Sequence, residues 1–560
     1  MYLRTTKRRN QDGSVVAYLQ LAVNVWDPAK QQAVARVVHS FGRADEIDRD
    51  EIRRLVSSLS RIGLGEELAA AGDAVPLSSR ALGGVHVARA IWTEFGIDDI
   101  VRTAGRARRG SARHELALFS MVVHRLLDPG SKRSCRLRWL TDSVYFPEAQ
   151  ALKLEHLYRA MDFLLDHQAE IEQRVFDRAA AILKADVDLV FFDTTSCYFE
   201  IDEEDEGSDV YKGQLLPTLR KRGYNKEGRD GNPQVVIALA VTRDGVPVRS
   251  WVFAGNTVDS TTVATIKGDL AAWKLSRVML VGDAGMDSEE NRKTLAEGLG
   301  RYVLAVPAGR LKEVREDVLS RAGRFKKIAE NLEAKEVVVG DGERRRRYIV
   351  CWNRQEETRQ HRRRERVLKE LADELSSLAP AEEGDQHTRR VCELLASKRY
   401  GRYLTQKQDG SIDMDRKKVR KAAQLDGRWV ILTNDDTVST ADAACAYKAA
   451  MLIESCFRRL KTTGLRIRPV YHWTTHRIVA HVKLCVLALL VQRVAEIRAN
   501  DTWRNLSHVL EQIQAVEVQV GPNSIVRATK LTDDAVRVLA SLGVAKPNDV
   551  LALRGGAASA

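Results

Sequence analysis

Two aspartates follow short apolar runs of the chain. Asp193 comes after LVFF, and Asp283 comes after VMLVG. A buried strand holds a side chain rigidly at the sheet edge where catalytic groups and ligands gather. Each aspartate taken alone also has a simpler explanation. Asp193 could open a turn, and Asp283 could cap the helix predicted to start near Asp287.

A third acidic residue, Glu454, lies in the segment YKAAMLIESCFRRLK. Read as one helix, this segment places Tyr447, Glu454 and Lys461 two turns apart and Arg458 one turn beyond Glu454, so all four share a face. An ordinary Glu–Arg surface pair, worth about 0.2–0.5 kcal/mol, is the plainer alternative. The opposite face is apolar enough to bury the helix: Leu452, Cys456 and Leu460.

Three converging carboxylates suit one particular chemistry. Without a counter-charge they repel one another and raise each other's pKa, whereas bound divalent cations keep them ionised. Mg²⁺ prefers carboxylate oxygens and water, and two ions about 4 Å apart can stabilise the attacking and leaving oxygens of a displacement at phosphorus. If the fold brings these three carboxylates together, metal-assisted phosphoryl transfer is the chemistry that they suit.

The composition favours a polyanionic partner. A net charge of +13 and an isoelectric point near 9.3 fit nucleic acid, although general solubility or an anionic membrane surface would also fit. Seven scattered cysteines without a C-x-x-C pair give no zinc pattern. No signal-peptide core is present, and no stretch is expected to span a membrane, so we predict a cytoplasmic protein with no membrane partner.

The remaining pattern predicts the elements that carry these residues. Residues 15–41 alternate like a β-hairpin, and residues 77–184 repeat apolar positions like amphipathic helices. From residue 187 short apolar runs, such as QVVIALAVT, predict strands of a buried sheet, and a charged helical stretch follows at 356–398. The fold class is therefore α/β.

These motifs resemble the DDE transposases of bacterial insertion sequences, in the Y-R-E-K branch (the insertion-sequence-four type). FFDTT at Asp193, GDAGM at Asp283, and the spacing of Tyr447, Glu454 and Lys461 carry the resemblance. GYNKEGRDGNPQ (223–234) and RPVYHWTTHRIVAHV (468–482) extend it, so that it covers about 187–495.

One signature position departs from the family. Ala450 stands where the family has arginine, so that phosphate contact is missing here or comes from Lys448 or Arg458.

The resemblance implies an RNase H-like mixed-sheet core interrupted by a strand-rich insertion domain and preceded by a mainly helical domain with a short β-hairpin. The predicted regions are an N-terminal DNA-binding region (1–185), the first part of the core (186–309), the insertion domain (310–428), the second part of the core (429–500), and a C-terminal region with a disordered tail (501–560).

The resemblance also implies the activity and the role of each residue. Asp193 would bridge two Mg²⁺ ions, with Mn²⁺ as a substitute, while Asp283 and Glu454 each hold one. The partners would be double-stranded DNA, both terminal inverted repeats and target, and a second copy of the chain. DNA phosphates would be contacted by Tyr447, Lys461, Arg458, Lys226 and Arg229.

Two alternatives stay open from the sequence. LVFFDTTS and VGDAGMD imitate a haloacid-dehalogenase-like phosphatase, but Thr195 stands where that family has its second aspartate. The second alternative is a domesticated DNA-binding protein that no longer cuts DNA. We expect structural or phosphate-contacting roles for His472, His476 and His481, and solvated faces for the basic runs 344–347 and 362–366.

Overall fold

The computed structural model describes residues 2–9, 15–28, 32–43, 75–104, 111–184, 187–229, 231–275, 278–307, 312–378, 384–520 and 523–554. The chain divides into two compact units. The smaller unit comprises residues 1–78, 516–527 and 550–560, and the larger comprises residues 79–515 and 528–549. The tail predicted to be disordered lies largely outside the described residues.

The smaller unit contains an antiparallel sheet of three strands, β1 (Tyr2–Arg9), β2 (Val15–Asp27) and β3 (Gln32–Arg43). The hairpin predicted at 15–41 is confirmed as β2 and β3. Strand β1 was not predicted, because its basic sequence lacks an apolar alternation.

A second sheet has the order β20-β19-β18-β4. Its strands are β4 (Val75–Ala81), β18 (Gln514–Val520), β19 (Asn523–Ala528) and β20 (Val550–Arg554).

The larger unit is built on a nine-stranded mixed sheet of order β12-β13-β14-β17-β11-β10-β5-β8-β9. Strand β10 runs parallel to β5 and to β11, whereas β8 is antiparallel to both β5 and β9. The order β9-β8-β5-β10-β11 is the RNase H-like arrangement, so the predicted fold class is confirmed. The strands are β5 (Leu189–Tyr198), β8 (Gln234–Thr242), β9 (Pro247–Ala254), β10 (Met279–Gly282), β11 (Arg301–Val306), β12 (Lys326–Ala329), β13 (Leu332–Val339), β14 (Arg346–Trp352) and β17 (Arg428–Thr433). Strands β6 (Ser208–Tyr211) and β7 (Gln214–Pro217) form a separate antiparallel pair.

The helices of this unit lie in three parts of the chain: before the first strand of the central sheet, between its strands, and after its last strand. In chain order they are α1 (Gly83–Glu94), α2 (Ile97–Ala104), α3 (Ser111–Leu127), α4 (Lys132–Ser134), α5 (Leu154–Asp166), α6 (Gln168–Leu183), α7 (Asp259–Ala272), α8 (Glu289–Ala296), α9 (Arg354–Ser376), α10 (Gly384–Ala396), α11 (Arg416–Ala423), α12 (Thr440–Ala449), α13 (Met451–Arg458), α14 (Thr475–Ala499), α15 (Trp503–Leu510) and α16 (Asp533–Leu542).

Helix α14 corrects one expectation from the sequence. It is long and apolar enough to cross a membrane, contrary to the expectation that no stretch approaches that length, but 89% of its most apolar window is buried inside the protein. It packs against α3, α5 and β9, so its apolar character is that of a core helix.

The segment between β11 and β17 has two parts. Strands β12, β13 and β14 extend the central sheet, and the rest encloses a small core of its own that includes Leu371, Leu394 and Tyr403. This second part is mainly helical (α9 to α11), with one short hairpin of β15 (Leu404–Gln406) and β16 (Ile412–Met414). The predicted domain boundaries stay a prediction.

The two basic runs are not simply solvated faces. Arg347 is buried and donates to Glu336 and to the Asp435 carbonyl, and Arg364 is buried in an ion pair with Asp426. Sequence reasoning missed this because a run of like charges does not show which cation a distant carboxylate will neutralise.

Candidate active site

Asp193 lies within β5, not at its end. The strand continues to Tyr198 because β8 pairs with it along its whole length, whereas the parallel partner β10 reaches only Phe191. Asp193 therefore projects where the parallel pairing stops, and it does not open a turn. Its side chain is 19% exposed and accepts a hydrogen bond from the Thr194 amide at 2.7 Å.

Asp283 directly follows β10 and starts a single 3₁₀ turn, Ala284–Met286. Helix α8 has a different cap, since the Ser288 hydroxyl accepts from the Asn291 amide. The cap explanation for Asp283 is therefore wrong, and its exposed carboxylate is left at the sheet edge.

Tyr447 brings the three predicted carboxylates together. Its phenol donates a hydrogen bond to Asp283, and burial raises its pKa above the ordinary value, with Asp283, Glu454 and Asp193 raising it further. Each carboxylate makes a tyrosinate more costly, which requires all three to lie near the phenol. Asp193 on β5, Asp283 at the end of β10 and Glu454 on helix α13 therefore lie within electrostatic range of the same phenol.

The segment 447–461 is not one regular helix. Helix α12 ends at Ala449, α13 begins at Met451, and the last turns widen into a π-helix over Arg459–Thr463. A π-turn shifts the register, so the prediction that Lys461 shares a face with Glu454 does not follow from 3.6-residue spacing.

Lys461 and Arg468 meet on one carboxylate. Lys461 Nζ lies 2.6 Å from Glu227 Oε1, and an Arg468 guanidinium nitrogen lies 3.0 Å from Glu227 Oε2. Burial alone would raise the pKa of Glu227, but its hydrogen bond from Lys461 and the two cations lower it overall. The Arg468 guanidinium also stacks 4.1 Å from the Tyr198 ring centroid.

The other predicted phosphate contacts differ in setting. Lys226 lies inside the carboxylate group, 3.8 Å from Asp193 Oδ1. Arg229 is exposed, 5.9 Å from the Tyr198 ring centroid, and Arg458 is exposed on α13.

The electrostatics of Asp193 reflect a surplus of negative charge. Burial is the main cause that raises its pKa to about 6, and Asp283 and Asp259 add to the rise. Lys226 and the Thr194 amide oppose it. The carboxylate group therefore lacks positive charge at neutral pH, which is the condition that a divalent cation relieves.

A cavity of about 500 Å³ lies beside the Lys461 and Arg468 pair. Its lining combines cations with aromatic rings, and the Arg220 guanidinium lies 4.7 Å from the centroid of Trp473, which is 65% exposed. Lysine, arginine and exposed aromatic rings are the side chains that hold nucleic-acid backbone and bases. The lining includes Tyr198, Arg220, Lys461, Arg466, Arg468 and Trp473.

The three histidines after this cavity are packed within the protein. His481 is fully enclosed, with its ring nitrogens 3.0 Å from Lys132 Nζ and 2.9 Å from the Ile467 carbonyl oxygen. His472 packs edge-on against Tyr158, and His476 stacks on Tyr211 at 4.5 Å.

Sequence reasoning missed Asp259, Glu227 and Arg468. Asp259 is the first residue of α7 and touches Lys226, but in GNTVD it reads as an ordinary acidic residue in a first helical turn. Nothing in the spacing shows that helix α7 starts beside β5.

Comparison with known proteins identifies the family. Residues 210–491, half of the chain, match the transposase DDE domain. The chain belongs to the transposase DDE domain family. Residues 3–68 also match the N-terminal domain of IS1634 family transposases, so the resemblance to insertion-sequence DDE transposases is confirmed. The DDE match includes Asp283, Tyr447, Glu454 and Lys461 but begins after Asp193.

Other comparisons add little to this identification of the transposase. No curated protein matches the sequence. Among solved structures, the piggyBac transposase synaptic complex with hairpin DNA, determined by cryo-EM, is 9% identical, with a TM-score of 0.33, over 76% of this chain and 80% of that chain. The family match leaves the phosphatase alternative without support.

Proposed function

We propose that this transposase cuts DNA at the ends of an insertion sequence and joins those ends to target DNA, using Mg²⁺ held by Asp193, Asp283 and Glu454. The observation that supports the proposal is that Asp283 accepts the Tyr447 hydrogen bond while Asp193 and Glu454 lie within electrostatic range of the same phenol. Titratable groups from separate elements that perturb one another's pKa are typical of functional sites.

The carboxylates fit divalent cations in chemical type. DDE transposases generally use such ions. Among the described residues no group of three His, Cys, Asp or Glu side chains is placed to hold a metal ion by itself, so water and DNA phosphate oxygens would have to complete the coordination. Asp193, Asp283 and Glu454 would hold the divalent cations, which we propose to be Mg²⁺ with Mn²⁺ as a substitute. Bound ions would stabilise the attacking and leaving oxygens of an in-line displacement.

The protein's own cations would position the DNA backbone around this centre. Lys461 and Arg468 are held in place by Glu227, and a phosphate would compete with that carboxylate for both cations. Arg458 and Arg229 are exposed and would contact the backbone, while Tyr447 and Lys226, which lie beside the carboxylates, would contact phosphates near the cut. These contacts would fix the scissile phosphate without reading bases.

Sequence reading would fall to the N-terminal region. In β1, Arg4, Thr6 and Arg8 alternate onto one face, and the register places Gln20 and Tyr18 beside them on β2. Within the described part of the chain neither Arg4 nor Arg8 is held by an ion pair, and both are exposed. A narrow antiparallel sheet fits the major groove, where arginine and glutamine read guanine and adenine.

Two ends of an element must be held together for joining, so we propose a homodimer on DNA, acting in the bacterial cytoplasm at the nucleoid. The experiment compares Asp193→Asn with wild type for binding and cutting of the terminal repeats. We expect unchanged binding and no cutting. An equal loss of both would refute the role of Asp193, and binding without cutting by wild type would favour the domesticated alternative.

A further inference from the structure

A fourth carboxylate, Asp259, adjoins the proposed metal site. Its Oδ1 accepts the Thr194 hydroxyl, while the Thr194 amide donates to Asp193. A Cβ placed on Gly285, two residues after Asp283, would lie 3.5 Å from Asp259 Oδ2. Asp259 therefore lies between the strand that carries Asp193 and the turn that follows Asp283.

Lys226 links Asp259 to Asp193, but the two contacts are unequal. Lys226 Nζ lies 3.3 Å from Asp259 Oδ2 and 3.8 Å from Asp193 Oδ1. It also donates to the Thr194 carbonyl at 2.9 Å and approaches the Thr194 hydroxyl at 3.3 Å. An ammonium has three N–H donors, and Thr194 and Asp259 provide three acceptors, so Asp193 holds Lys226 by charge alone.

The fold enforces this arrangement. A Cβ on Gly255 would lie 2.1 Å from the Gln234 and Lys221 carbonyl oxygens, so only glycine allows the backbone before Asp259 to pack this tightly. Buried Gln234 donates to the Gly255 carbonyl at 2.9 Å and accepts from Asn225, next to Lys226, at 2.8 Å. The loops that carry Lys226 and Asp259 are thus fastened to the same strand end.

We propose that Asp259 is a positioning residue that keeps the Lys226 ammonium within the site, where the ammonium balances Asp193 until a divalent cation replaces it there. With a cation at Asp193, Lys226 would lose only its longest contact and would keep its contacts with Asp259 and Thr194. The inference rests on the proposed function, because it takes Asp193 as a metal ligand.

Substitutions of Lys226 and of Asp259 should have opposite effects on the affinity for a divalent cation. Lys226→Gln removes the competing charge, so Mn²⁺ should bind the DNA-free protein about fivefold more tightly. Asp259→Asn leaves Lys226 with Asp193 as its nearest carboxylate, so Mn²⁺ should bind about fivefold more weakly. In the double variant the Asp259 effect should disappear, because it acts through Lys226.

The experiment measures free Mn²⁺ by electron paramagnetic resonance during titration of the metal-stripped full chain at pH 7.5 without DNA. Lys226→Arg, which keeps the charge, should behave as wild type, and Glu200→Gln is a control that removes an exposed acidic charge. Weaker binding by Asp259→Asn even in the Lys226→Gln background would make Asp259 a direct ligand and overturn the proposal, as would unchanged affinity in both single variants. If wild type and Lys226→Gln both fail to bind Mn²⁺, the proposed metal-dependent function itself falls.

Discussion

Replacing Asp193 by asparagine should stabilise the metal-free transposase at neutral pH. The pKa of Asp193 rises from 3.8 to about 6 because burial and neighbouring carboxylates disfavour its charge. A rise of about 2 units at 1.36 kcal/mol per unit amounts to about 3 kcal/mol. Because the native protein keeps a proton that the unfolded chain loses, this stability is present below pH 3.8 and is lost as pH rises through about 6.

The assay is thermal unfolding in EDTA at pH 4.5 and at pH 7.5. For a chain of this size 3 kcal/mol corresponds to roughly 3 °C, so Asp193→Asn should melt about that much higher at pH 7.5, with a much smaller gain at pH 4.5. Asp317→Asn, which removes an exposed carboxylate, should show neither gain. An Asp193→Asn variant that is less stable at pH 7.5, or equally shifted at both values, would refute the reasoning.

Three further predictions concern the site and its scaffold. Tyr447→Phe removes the hydrogen bond to Asp283 and a proposed phosphate contact, so the DNA cleavage rate should fall about ten- to a hundredfold, and an unchanged rate would exclude that contact. Lys461→Gln should lower the slope of log binding constant against log salt concentration by about 0.9, and an unchanged slope would mean that Lys461 stays on Glu227. Gly255→Ala should lower the melting temperature by a few degrees or prevent folding, unlike Gly268→Ala, where a Cβ meets open space.

The sequence predicted the strands of the central sheet well and their side-chain partners poorly. Continuous apolar runs such as QVVIALAVT identify buried strands because every residue of β8 is covered. The position of Asp193 within β5 was not predicted, because strand length there depends on pairing with β8, which is distant in sequence.

The candidate site shows the same limit. Asp193, Asp283 and Glu454 could be selected because the two aspartates follow apolar runs and Glu454 lies in a segment with helical periodicity. Asp259 could not, because its importance comes from Thr194 and Lys226, which reach it only through the folded sheet. The roles of single glycines and histidines likewise depend on the residues that contact them in the folded protein, which the sequence does not show.

The most direct measurement is cleavage of a labelled DNA duplex carrying the flanks of this reading frame, with Mg²⁺, by wild type and by Glu454→Gln. Our account predicts cuts at the ends of the terminal repeats by wild type and none by Glu454→Gln, with equal binding of the duplex by both. Cutting by Glu454→Gln at the wild-type rate would contradict the assignment of Glu454, and binding without cutting by wild type would contradict the proposed transposition activity.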